Sequence, residues 1–389
     1  MMLDQYVLNE KDYIISLRRY FHKHPEESLC EFKTAEKIEE ELDKLNISHR
    51  RVGKTGVLGI IKGKKDSHKV IALRADIDGL KVRDLKEVDY KSENEGFMHA
   101  CGHDGHTASL LGAAKILKSK EELFGGEIRL LFQQAEEIGH GARIFINEGC
   151  LKDVDKILGF HVSSDIPVGK VAVSYGASFA SCDYFKIRVK GKSAHVSRPH
   201  LSVDALYIAS QIVVNIQSIV SRQTDPINSV LVGIGTLKAG TIYNAVAEDA
   251  VLEGTTRAFS KESRDKTNNE ILRISKGIGD VYGAEIEVEF KDYASPLIND
   301  KSVTDDVKSV VENVVGNSNI ITDYPKALGA DDFAEYLLKV PGTYLRIGTR
   351  NEDNKSTCMP HHNGQFDIDE EALLIGTNIE VEFAINSLK

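Results

Sequence analysis

Eight consecutive residues organise this chain: His99-Ala100-Cys101-Gly102-His103-Asp104-Gly105-His106. They bring three imidazoles, a thiol and a carboxylate together, and the two glycines let the backbone fold tightly around whatever these side chains hold. Taken alone, the motif is as compatible with a histidine-rich surface loop as with a metal site. Its context favours the metal site, because an apolar helical run over residues 107–117 follows and further acidic and imidazole side chains stand later in the chain.

Length and composition are typical of a soluble globular protein. The 389 residues are enough for two domains, each with its own core, and 41% of them are apolar. A net charge of −10 argues against nucleic acid or an anionic membrane as a partner, because both require a basic face. No window of about 18 apolar residues predicts a membrane span, and the first residues form neither a signal peptide nor a lipidation motif.

The cysteines indicate a cellular compartment. They are scattered and odd in number, which favours reduced thiols in the cytoplasm over a disulfide framework. They are Cys30, Cys101, Cys150, Cys182 and Cys358. We therefore expect a cytoplasmic protein.

The first part of the chain predicts two amphipathic helices. One covers residues 11–21 and ends in His22 and His24, and a second begins after Thr34, which is a good N-cap. The two histidines could be metal ligands, but they face different ways on a helix, and imidazoles are favoured near the negative helix end. We interpret them as structural.

Three predicted strands, separated by helices, each run into polar side chains. The strands and the residues that follow them are 69–73 with Asp76, 127–132 with Glu136 and Glu137, and 156–160 with His161. Sites in open α/β sheets gather at the carboxyl ends of the strands, so we expect these side chains at one edge. The pattern predicts an α/β fold with a mostly parallel sheet covered on both faces.

The pattern changes around residue 178. The predicted elements are a strand over 184–190, a helix over 204–220, strands over 229–237 and 249–259, a helix over 261–278 and a strand over 284–290. This order is the signature of a ferredoxin-like α+β domain. We predict an inserted domain over residues 178–293 and a discontinuous first domain made of residues 1–177 and 294–389.

Five candidate metal donors come from well-separated parts of the chain: Cys101, His103, Glu137, His161 and either His361 or His362. Thiolate, imidazole and carboxylate suit Zn²⁺, Mn²⁺, Co²⁺ or Ni²⁺ better than Mg²⁺ or Ca²⁺. Five donors are too many for one tetrahedral ion. With one bridging ligand, for which the thiolate is a candidate, they suit two ions about 3.5–4 Å apart, a spacing used to activate water and stabilise an oxyanion.

The pair Glu136 and Glu137 can divide the chemistry. Neighbouring residues at a strand end point in different directions, so one carboxylate can bind metal while the other faces the water. Glu136 is the candidate general base, which takes a proton from the attacking water and returns it to the leaving amine. The alternative is a solvated acidic turn after a strand.

Several motifs together resemble one enzyme family. They are Leu73-Arg74-Ala75-Asp76-Ile77-Asp78, the segment from Met98 to His106, Glu136-Glu137 after Gln133-Gln134, and Gly159-Phe160-His161. The chain resembles the amidohydrolase branch of the aminoacylase/carboxypeptidase metallopeptidases, which includes hippurate hydrolases, indole-acetyl-amino-acid hydrolases and N-acetyldiaminopimelate deacetylases. The resemblance covers nearly the whole chain and implies a di-metal catalytic domain with an inserted lid or dimerisation domain.

The resemblance also assigns roles to residues. It makes Glu136 the acid/base, has Asp76 orient a ligand, and places Arg74 where other branches carry a metal-binding histidine. The implied metal ligands are Cys101, His103, Glu137, His161 and His362. His362 is preferred to His361 because it stands four residues before Phe366, although Asn363-Gly364-Gln365 occupies a place where many members carry a proline.

Three residues of the inserted domain gain a role only from the resemblance. His195 and Asn244 match residues that face the active site, often across a dimer, and His195 would help to stabilise the oxyanion. Without the resemblance they are ordinary turn residues. Arg257 matches an arginine that is a candidate partner for a substrate carboxylate, for which its planar guanidinium is suited.

The predicted function is hydrolysis of N-acyl amino acids, with acetyl, benzoyl or similar acyl groups, to a carboxylate and a free amino acid. The predicted cofactors are two divalent ions per subunit, Mn²⁺ or Zn²⁺ with Ni²⁺ or Co²⁺ as alternatives, and the predicted assembly is a homodimer or higher homo-oligomer. One rival is an aminopeptidase or dipeptidase with the same site, and another is a binding protein that has lost catalysis. A structural zinc site is a third, but such sites usually draw ligands from two short local motifs.

Overall fold

The computed structural model describes residues 3–389, which divide into two compact units. The larger unit contains the chain up to Gly176, Ile298–Pro325 and Asp331–Lys389, and the smaller contains Ala177–Leu297 and Lys326–Ala330. None of the helices within residues 3–389 combines the length and apolar character that a bilayer crossing requires.

Strands and helices alternate along much of the chain. Numbered in chain order, the strands are β1 (Ser48–Val52), β2 (Gly56–Lys62), β3 (Lys65–Asp76), β4 (Gly125–Gln133), β5 (Lys156–Pro167), β6 (Val171–Ala172), β7 (Gly176–Phe179), β8 (Cys182–Lys190), β9 (Val230–Ala239), β10 (Asp249–Ala258), β11 (Glu285–Ala294), β12 (Leu297–Asn299), β13 (Ile320–Ile321) and β14 (Gly342–Arg350). The α-helices are α1 (Gln5–Leu8), α2 (Lys11–Lys23), α3 (Phe32–Lys44), α4 (His103–Ser119), α5 (Gly141–Asn147), α6 (Ala205–Ile216), α7 (Lys261–Tyr282), α8 (Lys301–Val315), α9 (Phe333–Leu337) and α10 (Glu371–Leu388).

The larger unit is built on a sheet in the order β1-β2-β4-β3-β5-β14-β6-β13. Its central strands β4, β3, β5 and β14 are parallel to one another, whereas β2 pairs with β1 and β4 in antiparallel orientation. The last seven residues of β3 are all buried, as expected where both faces of a parallel sheet are covered. The predicted α/β fold with a mostly parallel sheet is confirmed.

One local prediction in this unit is wrong. The second helix, α3, begins at Phe32 with Glu31 as its N-cap residue, not after Thr34. Thr34 lies in the first turn, where its N–H and its hydroxyl donate to Glu26 Oε2 at 2.8 and 2.9 Å. An acceptor from the preceding loop thus binds the free N–H of the first turn, which lets the helix begin earlier than its sequence indicates.

The smaller unit contains an antiparallel sheet in the order β11-β8-β10-β9, with α6 and α7 packed against it. Along β8, buried residues alternate with more exposed ones, and Phe185, Ile187 and Val189 point into the core. The helices contribute Ile208, Ile212 and Ile271 to the same core. The chain order strand, helix, two strands, helix, strand confirms the predicted ferredoxin-like α+β fold.

Candidate metal centre

The parallel strands of the larger unit bring the predicted donors to one edge of the sheet. Asp76 is the last residue of β3, the pair Glu136-Glu137 follows the end of β4, and His161 lies in β5. The eight-residue motif enters α4, of which His103 is the first residue. Gly102 before it has φ +94°, and a Cβ there would lie 2.4 Å from Val162, so the close approach of the motif to β5 requires glycine.

The donor atoms form two groups that share Cys101. Its thiol lies with the imidazoles of His103 and His161 in one group, and with Glu137 and His362 in the other. Within each group, the donor atoms are all within 4.8 Å of one another. The Cys101 Sγ is 3.4 Å from His161 Nε2, and His362 Nε2 is 3.6 Å from Glu137 Oε2. This arrangement allows one thiolate to serve two neighbouring ions.

His361 lies differently from its neighbour His362. Its ring packs against His161 and Phe366, with centroid separations of 5.1 and 4.7 Å. His362 has a left-handed backbone conformation, with φ +65°, which turns its side chain toward Cys101 and Glu137. Backbone geometry thus supports His362 as the candidate ligand.

Buried polar atoms at this centre lack partners in the part of the chain that the structure describes. They include His103 Nε2 and Glu137 Oε1. Burial lowers the pKa of His103, but the charges of Asp76, Asp78 and Glu137 outweigh it and raise the pKa to about 10. Unpaired nitrogen and carboxylate atoms in an anionic, buried setting fit a bound cation, because burying such atoms unpaired is otherwise costly. The donor set therefore fits divalent transition-metal ions.

Hydrogen bonds orient the imidazoles toward the centre. His103 Nδ1 is 3.0 Å from the carbonyl oxygen of Asp78 and 3.2 Å from its Oδ1, and His161 Nδ1 is 2.6 Å from the carbonyl oxygen of Val162. Because carbonyl and carboxylate oxygens are acceptors, these contacts place a proton on Nδ1 of each ring and make Nε2 the nitrogen that would bind a metal ion in place of a proton. The sequence analysis gave Asp78 no role of its own, although it stands two residues after Asp76 in the same motif.

Asp76 joins β3 to β5 through His106. Its Oδ2 accepts from Arg74 Nη1 at 2.6 Å, and its Oδ1 lies 2.5 Å from His106 Nδ1. The Val162 N–H donates to His106 Nε2 at 3.0 Å, so both ring nitrogens of His106 are engaged. Asp76 Oδ2 is 3.7 Å from His103 Nε2. That Asp76 orients a ligand stays a prediction, and the shorter carboxylate contact to His103 comes from Asp78.

Arg74 is the centre of a buried acidic cluster. Its guanidinium contacts Asp76, Asp332 at 3.1 Å and Asp331 at 3.4 Å, all of them buried. Donor atoms of Asp331 and Asp332 also lie within 4.8 Å of one from Glu136. Both aspartates stand in the sequence at the start of α9, but no local pattern indicated that they would meet Glu136, because the contact spans almost two hundred positions.

Glu136 and Glu137 are both held in a setting that disfavours their charge. Burial, followed by the charges of Asp331 and Glu137, raises the pKa of Glu136 well above its usual range. Burial is also the main cause that raises the pKa of Glu137 to about 7. Glu136 Oε2 lies 3.9 Å from His103 Nε2, so this carboxyl borders the donor groups. A carboxyl with a raised pKa beside a candidate metal centre is suited to proton transfer near neutral pH.

The smaller unit carries the other three predicted residues. His195 and Asn244 are both exposed. They stand on adjoining segments, because His195 and Ala245 form an antiparallel β-bridge and the Val196 N–H donates to the Asn244 carbonyl at 3.1 Å. Arg257 lies in β10, and its Nη1 is buried with no hydrogen-bond partner within residues 3–389. The fold therefore brings the His195 and Asn244 segments together, and one buried guanidinium nitrogen of Arg257 has no hydrogen-bond partner among the described residues.

Comparison with known proteins identifies relatives over nearly the whole chain. The sequence pattern of peptidase family M20/M25/M40 matches residues 72–386. The chain is 40% identical to thermostable carboxypeptidase 2 of Saccharolobus solfataricus, covering 96% of this chain and 95% of that protein. It is 36% identical to an N-acetylcysteine deacetylase of Bacillus subtilis, covering 96% of each.

A solved structure agrees with these relatives. The Bacillus subtilis YXEP protein, described as a dinuclear metal binding peptidase from the M20 family, superposes with a TM-score of 0.84 at 34% identity, covering 98% of this chain and 99% of that one. The family predicted from the motifs is confirmed, since the match extends through both units and includes every element that carries a candidate donor. The chain belongs to peptidase family M20/M25/M40.

Proposed function

We propose that this protein is a metal-dependent amidohydrolase that cleaves the amide bond of N-acyl amino acids and releases a carboxylate and a free amino acid. The observation that carries the proposal is the position of Glu136, a buried carboxyl that borders two donor groups sharing Cys101. A proton-transfer group beside a paired metal site is a combination that can hydrolyse an amide bond.

The proposed ligands are the residues of the two donor groups: Cys101, His103, Glu137, His161 and His362. Two bound divalent ions would supply an activated water and would stabilise the negative charge that develops on the carbonyl oxygen. Mn²⁺ and Zn²⁺ are the proposed ions, with Co²⁺ and Ni²⁺ as alternatives, since thiolate and imidazole donors suit all four. Asp78 and the Val162 carbonyl hold two of the imidazoles in the orientation that binding requires.

Glu136 is the proposed acid/base. Its raised pKa lets it accept a proton from the attacking water and return that proton to the nitrogen of the leaving amino acid. Asp331 and Asp332 contribute to this shift, and Arg74 holds both aspartates in place. Burial and the acidic cluster together thus raise the pKa of the group proposed to move the proton.

The smaller unit supplies the proposed substrate contacts. His195 would donate a hydrogen bond to the developing oxyanion, and Asn244 would contact the substrate from the adjoining segment. Arg257 would bind the carboxylate of the amino acid, a role that its unpaired and buried Nη1 supports. We also propose a homodimer or higher homo-oligomer that forms through the inserted domain. In this assembly, His195 would act in the active site of another subunit.

Two relatives bear on the substrate class. The similarity to an N-acetylcysteine deacetylase supports an N-acyl amino acid. The similarity to a thermostable carboxypeptidase favours a second candidate, a peptidase that removes an amino acid from a peptide with the same site. In both cases the leaving group is an amino acid with a free carboxylate, to which Arg257 is matched. A cytoplasmic location is part of the proposal, and five free cysteines within the described residues support it.

Amine release from a substrate panel tests the proposal. The panel contains N-acetyl and N-benzoyl amino acids, aminobenzoyl amino acids and free dipeptides, each with added Mn²⁺ or Zn²⁺ and with chelator. We expect metal-dependent release from the N-acylated compounds. Activity confined to dipeptides would move the assignment to a peptidase, and no release from any compound by metal-loaded protein would contradict both.

A further inference from the structure

The turn that carries Glu136 and Glu137 starts from an unfavourable backbone conformation. Ala135 has φ +55°, a left-handed value that residues with a side chain rarely adopt, and it is fully buried. Its carbonyl oxygen accepts from the N–H groups of His140 and Gly141, both at 3.2 Å. A conformation of this kind persists only where surrounding contacts hold it, so the contacts of Ala135 decide where the two glutamates point.

Glu31 binds the other backbone polar group of Ala135, its N–H. Its Oε1 accepts from the Ala135 N–H at 2.9 Å, and its Oε2 accepts from the Thr55 hydroxyl at 2.6 Å. Glu31 is fully buried, and burial together with the charge of Asp78 raises the pKa of Glu31 to about 7. Burying a carboxyl where its charge is disfavoured is costly, so an acceptor at this position serves a purpose that an apolar side chain could not.

The Glu31 carboxyl does not serve to cap the helix that follows it, α3. Glu31 is the N-cap residue of α3, yet its side chain makes no capping hydrogen bond. The first-turn N–H of Thr34 is bound by Glu26 instead. Both oxygens of Glu31 therefore point away from its own helix, and one reaches a turn 104 positions later in the chain.

The peptide group after Glu136 is held in the same way. The Glu137 N–H donates to Asp78 Oδ2 at 3.1 Å, and the Ser28 hydroxyl donates to the same oxygen at 2.7 Å. Carboxylates from two other segments thus bind the N–H groups on either side of Glu136. With both residues held, the Glu136 carboxyl reaches the acidic cluster and the Glu137 carboxyl reaches Cys101, while each lies 3.9 Å from His103 Nε2.

We propose that Glu31 is a positioning residue, which acts through the Ala135 N–H to orient Glu136 for proton transfer and Glu137 for metal binding. The inference rests on the proposed function for the roles of the two glutamates, and it assigns a role to a residue outside the metal-binding motifs. The chemical requirement is a hydrogen-bond acceptor at the end of the side chain. A negative charge is not required.

A matched pair of variants separates the acceptor from the rest of the side chain. Glu31→Gln keeps an oxygen that can accept from Ala135, and Glu31→Met keeps a similar length but has no such acceptor. Glu41→Gln is the control, because Glu41 is a buried glutamate on α3 that bonds to Tyr13 and Lys37 and lies outside this turn. Each protein is assayed for kcat and KM and titrated with Co²⁺ alone, with the cobalt–thiolate absorption band and the Co²⁺ dissociation constant as readouts.

We expect Glu31→Met to lose about 10²-fold in kcat with little change in KM, because a small displacement of a reacting group has an effect of this size. We also expect it to bind Co²⁺ about 10-fold more weakly, with an altered absorption band. Glu31→Gln should stay within a few-fold of the wild type, as should Glu41→Gln. A Glu31→Met protein with wild-type kcat and cobalt spectrum, or a Glu31→Gln protein as impaired as Glu31→Met, would overturn the proposal.

The cobalt titration keeps this inference separate from the proposed function. If the wild type binds Co²⁺ but hydrolyses no amide, the proposed function fails, and the spectra of the Glu31 variants still test the positioning role. If the wild type binds no Co²⁺, both fail. Should Glu31→Met not fold, Thr55→Val replaces it, since this change removes the donor that holds Glu31 Oε2. It should lower kcat several-fold, and unchanged kcat and cobalt spectrum would then count against the proposal.

Discussion

The two sets of candidate site residues are held in opposite ways. In the larger unit, His103 is buried and His161 largely so, and each has one ring nitrogen bonded to an oxygen that sets its orientation. In the smaller unit, His195 is exposed, and its Nδ1 accepts from the N–H of Ser197 two residues away. The larger unit thus fixes its candidate metal ligands through its own buried contacts, whereas the contact given for the His195 ring is a local one to Ser197.

Among the candidate site residues of the larger unit, replacing Glu136 should lower kcat the most. We expect Glu136→Gln to lower kcat by about 10³-fold, within the range that general acid–base groups contribute, while metal content stays at the wild-type value. The variant keeps the side-chain size and removes proton transfer. Measurement of kcat together with metal stoichiometry checks this, and a fully active variant would show that another group moves the proton.

Removing the carboxylate that orients His103 should weaken metal binding. We expect Asp78→Ala to raise the metal dissociation constant about 10- to 100-fold, because carboxylate partners of ligating imidazoles contribute that much. Competition with a chelator measures the constant, and Asp66→Ala, at an exposed position of β3, is the control. Unchanged metal affinity in Asp78→Ala would mean that the buried contacts of the larger unit do not organise the metal centre.

Mixing two inactive variants tests whether the exposed His195 acts in the active site of another subunit. We expect His195→Ala and Glu136→Ala proteins each to be strongly impaired, and an equal mixture to recover up to about a quarter of wild-type activity if each site takes His195 from another subunit of a dimer. The mixture is assayed after exchange of subunits. Absence of recovery, with exchange demonstrated, would place His195 in the site of its own chain.

Arg257 should act on binding more than on chemistry. We expect Arg257→Ala to raise KM about 10-fold or more for substrates with a free carboxylate, because a charge-assisted hydrogen bond is lost. The same variant should treat the corresponding substrate amide, which lacks that charge, much as the wild type does. An equal loss on both substrates would argue against recognition of the carboxylate by Arg257.

The smallest expected effect is on stability, and it concerns a buried carboxyl outside the candidate site. Glu380 on α10 is buried, its Oε2 has no partner within residues 3–389, and burial alone raises its pKa well above the usual 4.5. Such a group is uncharged in the folded state at acid pH, and its penalty grows as pH rises above the unfolded pKa.

Glu380→Gln should therefore match the wild-type stability near pH 4.5, and exceed it by about 1–2 kcal/mol at pH 7. Denaturant unfolding at both pH values measures the difference. A constant difference across this range would show that the Glu380 carboxyl keeps an ordinary pKa in the folded protein.

Local patterns in the sequence predicted the part of the candidate site that carries the proposed metal ligands. The alternation of apolar strands with helices implied parallel strands, and parallel strands place Asp76, Glu136 and His161 at one edge. The spacing of Cys101 and His103 at a helix start is likewise a local property of the chain. The ferredoxin-like order of the smaller unit followed from the same periodicities, because they are imposed by short-range backbone geometry.

Only the tertiary structure decided which carboxylates support these residues. Glu31, Asp331 and Asp332 reach the Glu136 turn from distant segments, and nothing in their local sequence distinguishes them from surface or capping acids. The left-handed backbone of His362, which places its ring rather than that of His361 with Cys101 and Glu137, also had no signal in the sequence. Such contacts arise when the core packs, because burial forces each polar group to find a partner wherever the fold supplies one.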